Sequence, residues 1–272
     1  MRVPFSCRFS KEVICTEPIA YPIAVFDSGL GGISVLRQLR QLMPKENYLY
    51  FGDSAHAPYG TRSVQEVRDL TLRNIGALYA RGIKAAVIAC NTATSAAVEL
   101  LRSRFQDIPV IGMEPALKPA VLENPGGTVL VLATPLTLRE EKFSQLLEHY
   151  QSSAEVICLP CPELVEFVES GDLGSAELMR YLHERLDPYR ARASAAVLGC
   201  THFPFLRRAI STVLGEGATL YDGGAGTARE TRRQLSLRGL LRDEPGGEIS
   251  LENSRNSPEE VNLSRKLLLL PE

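Results

Sequence analysis

Apolar residues along this chain fall into short continuous runs, each closed by a glycine or a small polar residue and followed by helical spacing. The first run is Ile23-Ala24-Val25-Phe26, closed by Asp27-Ser28-Gly29-Leu30-Gly31-Gly32. Ile33, Val35, Leu36, Leu39 and Leu42 then recur at helical intervals. A run that is apolar at every position suits a strand covered on both faces. Strand, glycine turn and helix together make the repeating unit of an α/β fold. The same reading predicts a strand over 47–51, a long loop carrying Ala57-Pro58-Tyr59-Gly60, and a helix from about Ser63 to Ala80. A strand over 85–89 then delivers Cys90-Asn91-Thr92 to the start of another helix.

The pattern restarts at Thr128-Val129-Leu130-Val131-Leu132-Ala133. A helix is expected from Thr134-Pro135 through Leu146, a strand over 155–159 and a helix ending at Glu169. A run over 195–199 delivers Cys200-Thr201-His202, with a helix from about Phe205 to Leu214. Ala-Ala-Val-Ile-Ala-Cys-Asn-Thr at 85–92 therefore rhymes with Ala-Ala-Val-Leu-Gly-Cys-Thr-His at 195–202. The expected fold is α/β: two similar domains with mainly parallel sheets, related by a pseudo-two-fold axis, with an active site at their interface. The first domain is expected to hold residues 22–116 and 221–272, the second 117–220. Residues 1–21, broken by Pro18 and Pro22, form an N-terminal extension. A strand over 218–221 and a helix from Gly226 to about Leu237 are expected to return to the first domain. Residues 245–272 should add a last strand and a short helix.

Composition narrows the function classes. With 272 residues, 44% hydrophobic and 23% charged, the chain can bury a large core without disulfide staples. The formal charge of -2 gives no basic face for nucleic acid or a membrane surface. No apolar run approaches the ~20 residues that span a bilayer, and no secretory signal is legible, so the cytoplasm is the expected compartment. The six cysteines are then expected to be reduced. Cys158 and Cys161 make a single C-x-x-C with no second pair and no histidine pair, and the four histidines are scattered, so no metal site is expected.

The candidate chemistry lies at the strand ends, where open α/β sheets bind ligands. Asp27, Cys90 and Cys200 all fall there. A lone buried cysteine is usually a small core hydrophobe. Two in matching slots, each followed by polar residues, point instead to function. A cysteine at a helix start feels the helix dipole and nearby amides, which should lower its pKa from about 8.5. Two such thiols across one cleft suit proton removal from one face of a carbon acid and proton return to the other, which inverts a stereocentre without a cofactor. Asp27, beside Ser28, is a candidate partner for one cysteine, and His202 for the other. Ser28, Asn91, Thr92, Thr134 and Thr201 supply polar contacts suited to a small zwitterion, and helix-start amides can hold a carboxylate. The glycine turn lacks the Lys-Ser/Thr of a P-loop and the Rossmann spacing, which argues against a nucleotide there.

Taken together, Phe26–Gly32, Pro58-Tyr59-Gly60, Ala89–Ala93, Leu132-Ala133-Thr134, Val168-Glu169-Ser170-Gly171 and Gly199–Pro204 resemble the glutamate racemase family over nearly the whole chain from Ile23 to about Leu270. The resemblance implies that Cys90 deprotonates D-glutamate with help from Asp27, and that Cys200 deprotonates L-glutamate with help from His202. It makes Glu169 a further acidic helper near His202. It places Ser28, Pro58, Tyr59, Gly60, Asn91, Thr92, Thr134 and Thr201 on the substrate. It further implies D-glutamate for peptidoglycan, no cofactor and a homodimer. The N-terminal extension resembles that of the subgroup activated by a nucleotide-linked cell-wall precursor. Aspartate racemases resemble this family but lack the opening Asp-Ser and the histidine after the second Cys-Thr, and a decarboxylase of the same superfamily keeps one cysteine of the two. These, and a non-catalytic regulatory binding protein, are the alternatives.

Overall fold

The computed structural model describes residues 18–139, 141–150 and 152–271. Most of the expected N-terminal extension, with Cys7 and Cys15, lies outside the described residues. Pro18–Ala20 form a single 3-10 turn. Two sheets follow. The first is built from β1 (Ile23–Asp27), α1 (Ile33–Leu42), β2 (Tyr48–Gly52), α2 (Val64–Ala80), β3 (Ala85–Ile88), α3 (Asn91–Arg104) and β4 (Val110–Gly112). The second uses α4 (Leu117–Leu122), β5 (Thr128–Ala133), α5 (Pro135–Arg139), α6 (Glu141–Tyr150), β6 (Glu155–Pro160), α7 (Glu163–Glu169), α8 (Ala176–Leu186), β7 (Ala193–Leu198), α9 (Arg207–Leu214) and β8 (Thr219–Asp222). The chain then returns through α10 (Gly224–Leu237), β9 (Ile249–Asn253) and α11 (Pro258–Leu268).

Every strand pairing is parallel. The first sheet runs β4-β3-β1-β2-β9, and the second, read from the matching edge, β8-β7-β5-β6. The two orders superimpose strand for strand, with β9 added at one edge. The sequence rhyme between 85–92 and 195–202 is therefore a repeat of topology: β3 and β7 hold equivalent places. The central strands β1, β3 and β5 are buried at every residue, as continuous apolar runs require when helices cover both faces. Each fully buried Ile, Val or Phe there contributes about 1.5–3 kcal/mol.

One expected placement is corrected. The strand over 218–221 does not return to the first domain. As β8 it pairs with β7, Ala195 opposite Thr219 through Leu198 opposite Asp222. It is the counterpart of β4: each follows the helix after a cysteine-bearing strand and closes the same edge. The chain leaves the second sheet only after Asp222, when α10 packs on α1. The helix expected through Leu146 is described as α5 and α6, on either side of residue 140, and the helix after Cys200 opens with a 3-10 turn over Phe203–Leu206. Local signals set several ends. Ser63 and Glu66 close a capping box on α2, and Ser257 caps α11 just ahead of Pro258.

Candidate functional site

Both cysteine-bearing strands point the same way in their sheets, so each presents its cysteine at a carboxyl end. Cys90 is the residue before α3, and its sulfur accepts the backbone N–H of Ala93 at 3.4 Å. Its thiol lies 3.7 Å from Ser28 Oγ, to which it donates. Cys200 follows β7 after the single residue Gly199, and its Sγ is 3.5 Å from His202 Nδ1. Both sulfurs line one small pocket with Ser28, Pro58, Tyr59, Gly60, Asn91, Thr92, Thr134, Thr201 and His202. All eight residues expected to hold substrate are thus brought together, along with three of the five expected catalytic groups. The pocket leaves space of about 20 Å³, enough for a water.

Asp27 and Glu169, the other two, stand behind that lining. Asp27 is fully buried. Its Oδ1 accepts Gly29 N–H at 2.9 Å and its Oδ2 accepts Thr201 Oγ1 at 3.0 Å. Each oxygen takes one donor, and Asp27 acts on Cys90 through its charge. Burial raises its pKa above the ordinary carboxylate value, against the opposing pull of His202. Glu169 Oε1 meets His202 Nε2 at 2.6 Å and accepts Leu30 N–H at 2.7 Å. A line therefore runs Cys200–His202–Glu169, anchored on a backbone amide of the other half.

The electrostatics of the two thiols differ. Burial pushes the Cys90 thiol up to about 12, and the Asp27 carboxylate adds to the rise. The Ala93 amide and the Ser28 hydroxyl pull the other way and do not match it. This corrects the expected lowering for Cys90. A helix start and one amide at 3.4 Å cannot offset removal of the sulfur from water. His202 shows the reverse balance. Burial alone would lower it, but its contacts with Cys200 and Glu169 hold it well above 6.5. Glu169 is held below its usual value despite burial, chiefly by His202. Both shifts favour the pair as carboxylate and imidazolium, the form that sets a positive charge 3.5 Å from the Cys200 sulfur.

The glycine turn has a steric role. A Cβ at Gly29 would collide with the Glu169 carboxylate, one at Gly31 with His202 and Thr201, and one at Gly60 with Thr134. The turn lets the halves approach at the site; the interface is further tied by Ser34 Oγ donating to Thr201 O at 2.8 Å.

Three lining residues carry no sequence signal strong enough to single them out: Thr137, Val165 and Gly199. Thr137 Oγ1 sits 3.0 Å from Thr134 Oγ1 and 3.3 Å from Thr92 Oγ1, a cluster of three buried hydroxyls. Its one hint is its place three residues after Thr134, one turn into a helix. The Asn91 side chain is buried with neither amide atom partnered, which marks it for a ligand. No Lys or Arg lines the pocket. Among the described residues no group of His, Cys, Asp and Glu could hold a metal ion, and no helix is long and apolar enough to cross a membrane. Cys158 and Cys161 are free thiols on and just after β6.

Comparison with known proteins follows the same lines. A family model described as Asp/Glu/Hydantoin racemase matches residues 31–231. The glutamate racemase of Clostridium perfringens is 49% identical over 249 residues, covering 91% of this chain and 96% of that one. The structure of the Francisella tularensis glutamate racemase in complex with D-glutamate aligns with a TM-score of 0.80 at 26% identity, over 93% of this chain and 95% of that one. The Escherichia coli glutamate racemase in complex with L-glutamate and the activator UDP-MurNAc-ala aligns with a TM-score of 0.78 at 32% identity, over 92% and 93%.

Proposed function

The chain belongs to the Asp/Glu/Hydantoin racemase family, and within it to the glutamate racemases, and we propose that it interconverts L- and D-glutamate by proton transfer between Cys90 and Cys200. The carrying observation is two buried cysteines at equivalent strand ends, lining one pocket with differently tuned surroundings.

In this reading the Cys200 thiolate, beside the His202 imidazolium, takes the α-proton of L-glutamate, and the Cys90 thiol gives its proton to the opposite face. The C–H electron pair stays on the α-carbon until the new C–H bond forms. The reverse reaction exchanges the roles. Cys90 must then lose its proton, which the ammonium of bound substrate favours by bringing positive charge to the site; Asp27, raised by burial, holds or accepts a proton nearby. The Glu169 carboxylate keeps His202 charged and oriented. Asn91, Thr92, Thr134 and Thr201 hold the substrate's carboxylates through neutral donors, and Ser28, Pro58, Tyr59 and Gly60 shape the other wall. The present space admits a water but not a glutamate, so binding begins with the halves, residues 22–116 with 223–272 and residues 117–222, moving apart. Closure then excludes water from the carbanion.

The reading extends to a cytoplasmic enzyme without cofactor or metal that supplies D-glutamate for peptidoglycan, acts as a homodimer and responds to a nucleotide-linked cell-wall precursor. The Escherichia coli glutamate racemase, in its complex with the activator UDP-MurNAc-ala, supports that last extension. The test is polarimetry of the purified, chelator-treated protein. Solutions of L- and of D-glutamate should both decay to zero rotation while aspartate stays unchanged. Stable rotation of both glutamates, with and without the precursor, would overturn the assignment.

A further inference from the structure

Tyr50 lies on β2 with its ring fully buried, outside the pocket lining. Its hydroxyl donates to the carbonyl of Gly29 at 2.5 Å. That carbonyl and the N–H of Leu30 belong to one peptide group, and the Leu30 N–H donates to Glu169 Oε1 at 2.7 Å. Glu169 in turn holds His202, which faces Cys200. Two lines of donors therefore meet on Glu169 Oε1: the Tyr50 hydroxyl through the Gly29–Leu30 peptide on one side, and His202, which faces Cys200, on the other. Donation to a peptide oxygen polarises that peptide and strengthens its N–H as a donor. The carbonyl sits so close to β2 that a Cβ at Gly52 would collide with Gly29 O. The adjacent Gly29 N–H serves Asp27, so one short turn holds the helper of each cysteine.

We infer that Tyr50 is a positioning residue of the racemase reaction, acting through the Gly29–Leu30 peptide on Glu169 and so on the His202–Cys200 half. This rests on the function proposed above. Burial and the neighbouring acidic groups push the Tyr50 phenol far up, so it remains a donor throughout the working range.

The test is Tyr50→Phe, which keeps the ring and removes the hydroxyl, in the wild-type and the Glu169→Gln backgrounds. In the wild-type background kcat for L-glutamate should fall about tenfold with KM changed less than about twofold. The acidic limb of the kcat/KM profile should move to higher pH, because Glu169 loses a donor to its charged form. In the Glu169→Gln background the same change should cost less than about twofold, since the carboxylate charge that the relay supports is already gone. Equal losses in both backgrounds, or a lower rate with unmoved limbs, would overturn the inference. Should the variant not fold, 3-fluorotyrosine at position 50 alone keeps the bond and strengthens the donor. The acidic limb must then move to lower pH, and an unmoved limb would overturn the inference. Wild-type protein that racemises glutamate while Tyr50→Phe matches it removes this inference alone. Wild-type protein inert toward glutamate removes the reading beneath it.

Discussion

Cys90 and Cys200 occupy the same slot of a repeated unit, yet their neighbours differ. Cys90 has a hydroxyl, one amide and a like charge; Cys200 has an imidazolium backed by a carboxylate. In the proposed reaction this difference makes the two directions unequal in what each requires. Position matters at the same scale. In Gly31→Ala the new methyl would push on His202 and Thr201. Displacing such groups by about 1 Å costs on the order of 100-fold, so kcat should fall by about that factor, and overpacking the buried site should lower stability by about 1–3 kcal/mol. Steady-state kinetics with thermal unfolding checks both. The residue types of this site are legible in sequence because chemistry fixes them: two cysteines, Asp27 and His202 at predicted strand ends. Thr137 and Tyr50 are not, because a threonine in a helix and a tyrosine in a strand are ordinary fillers until their hydroxyl partners are known. The raised Cys90 pKa is also hidden, since burial from the whole surround outweighs the local helix start.

The loop between β2 and α2 shows how one element carries another residue's function. Asp53, 1% exposed, accepts Tyr59 Oη at 2.6 Å and Asn74 Nδ2 at 2.9 Å, and pairs with His56 Nδ1 at 2.8 Å. It pins the 3-10 turn Tyr59–Thr61 over the pocket. Asp53→Ala leaves buried donors unpaired, at about 1–3 kcal/mol each. It should raise KM for glutamate about tenfold, equivalent to ~1.4 kcal/mol, with a smaller effect on kcat; an unchanged KM would show that the turn holds without Asp53. Among elements, the long apolar strands and the glycine turns are readable because a two-sided burial pattern has few alternatives. The three-residue β4 and the six-residue α4 are not, since their sequences carry too few periods to register. The strand over 218–221 is misplaced for a different reason. Its sheet depends on where the chain crosses back, and pairing partners are nonlocal; the repeat itself, extended from β3–β4 to β7–β8, identifies the partner.

At the scale of the whole molecule, charges buried in the fold link stability to pH. His202 is raised above 6.5, so the folded state binds that proton more tightly than the unfolded chain. Its contribution is full below about 6.5 and is lost as pH rises through the folded value. Glu169 is lowered below 4.5, so its contribution is present above that value and lost as pH falls through the folded one. Asp27, raised by burial, opposes with a cost above its unfolded value. The melting temperature lost on Glu169→Gln should therefore be greatest between about pH 4.5 and 6.5 and shrink on either side; a pH-independent loss would contradict the ion pair. A second buried pair, Lys84 with Glu46, sits just ahead of β3, and Lys84 also donates to Ile19 O and Leu240 O. Lys84→Ala, which strands Glu46, should cost about 3–5 kcal/mol in denaturant unfolding. The two-part architecture is legible from the rhyme of 85–92 with 195–202, whereas the approach of the halves is not, because it depends on glycines whose reason is a side chain far away in the chain: Glu169 for Gly29, His202 and Thr201 for Gly31.

The most direct measurement is proton NMR of L- and D-glutamate in deuterated water with the wild-type protein, Cys90→Ser and Cys200→Ser, following the α-proton and the optical rotation together. The wild type should wash out the α-proton with inversion from both enantiomers. Cys90→Ser should lose exchange from D-glutamate more than from L-glutamate, and Cys200→Ser the reverse. Full racemase activity in either variant would contradict proton transfer between two thiols.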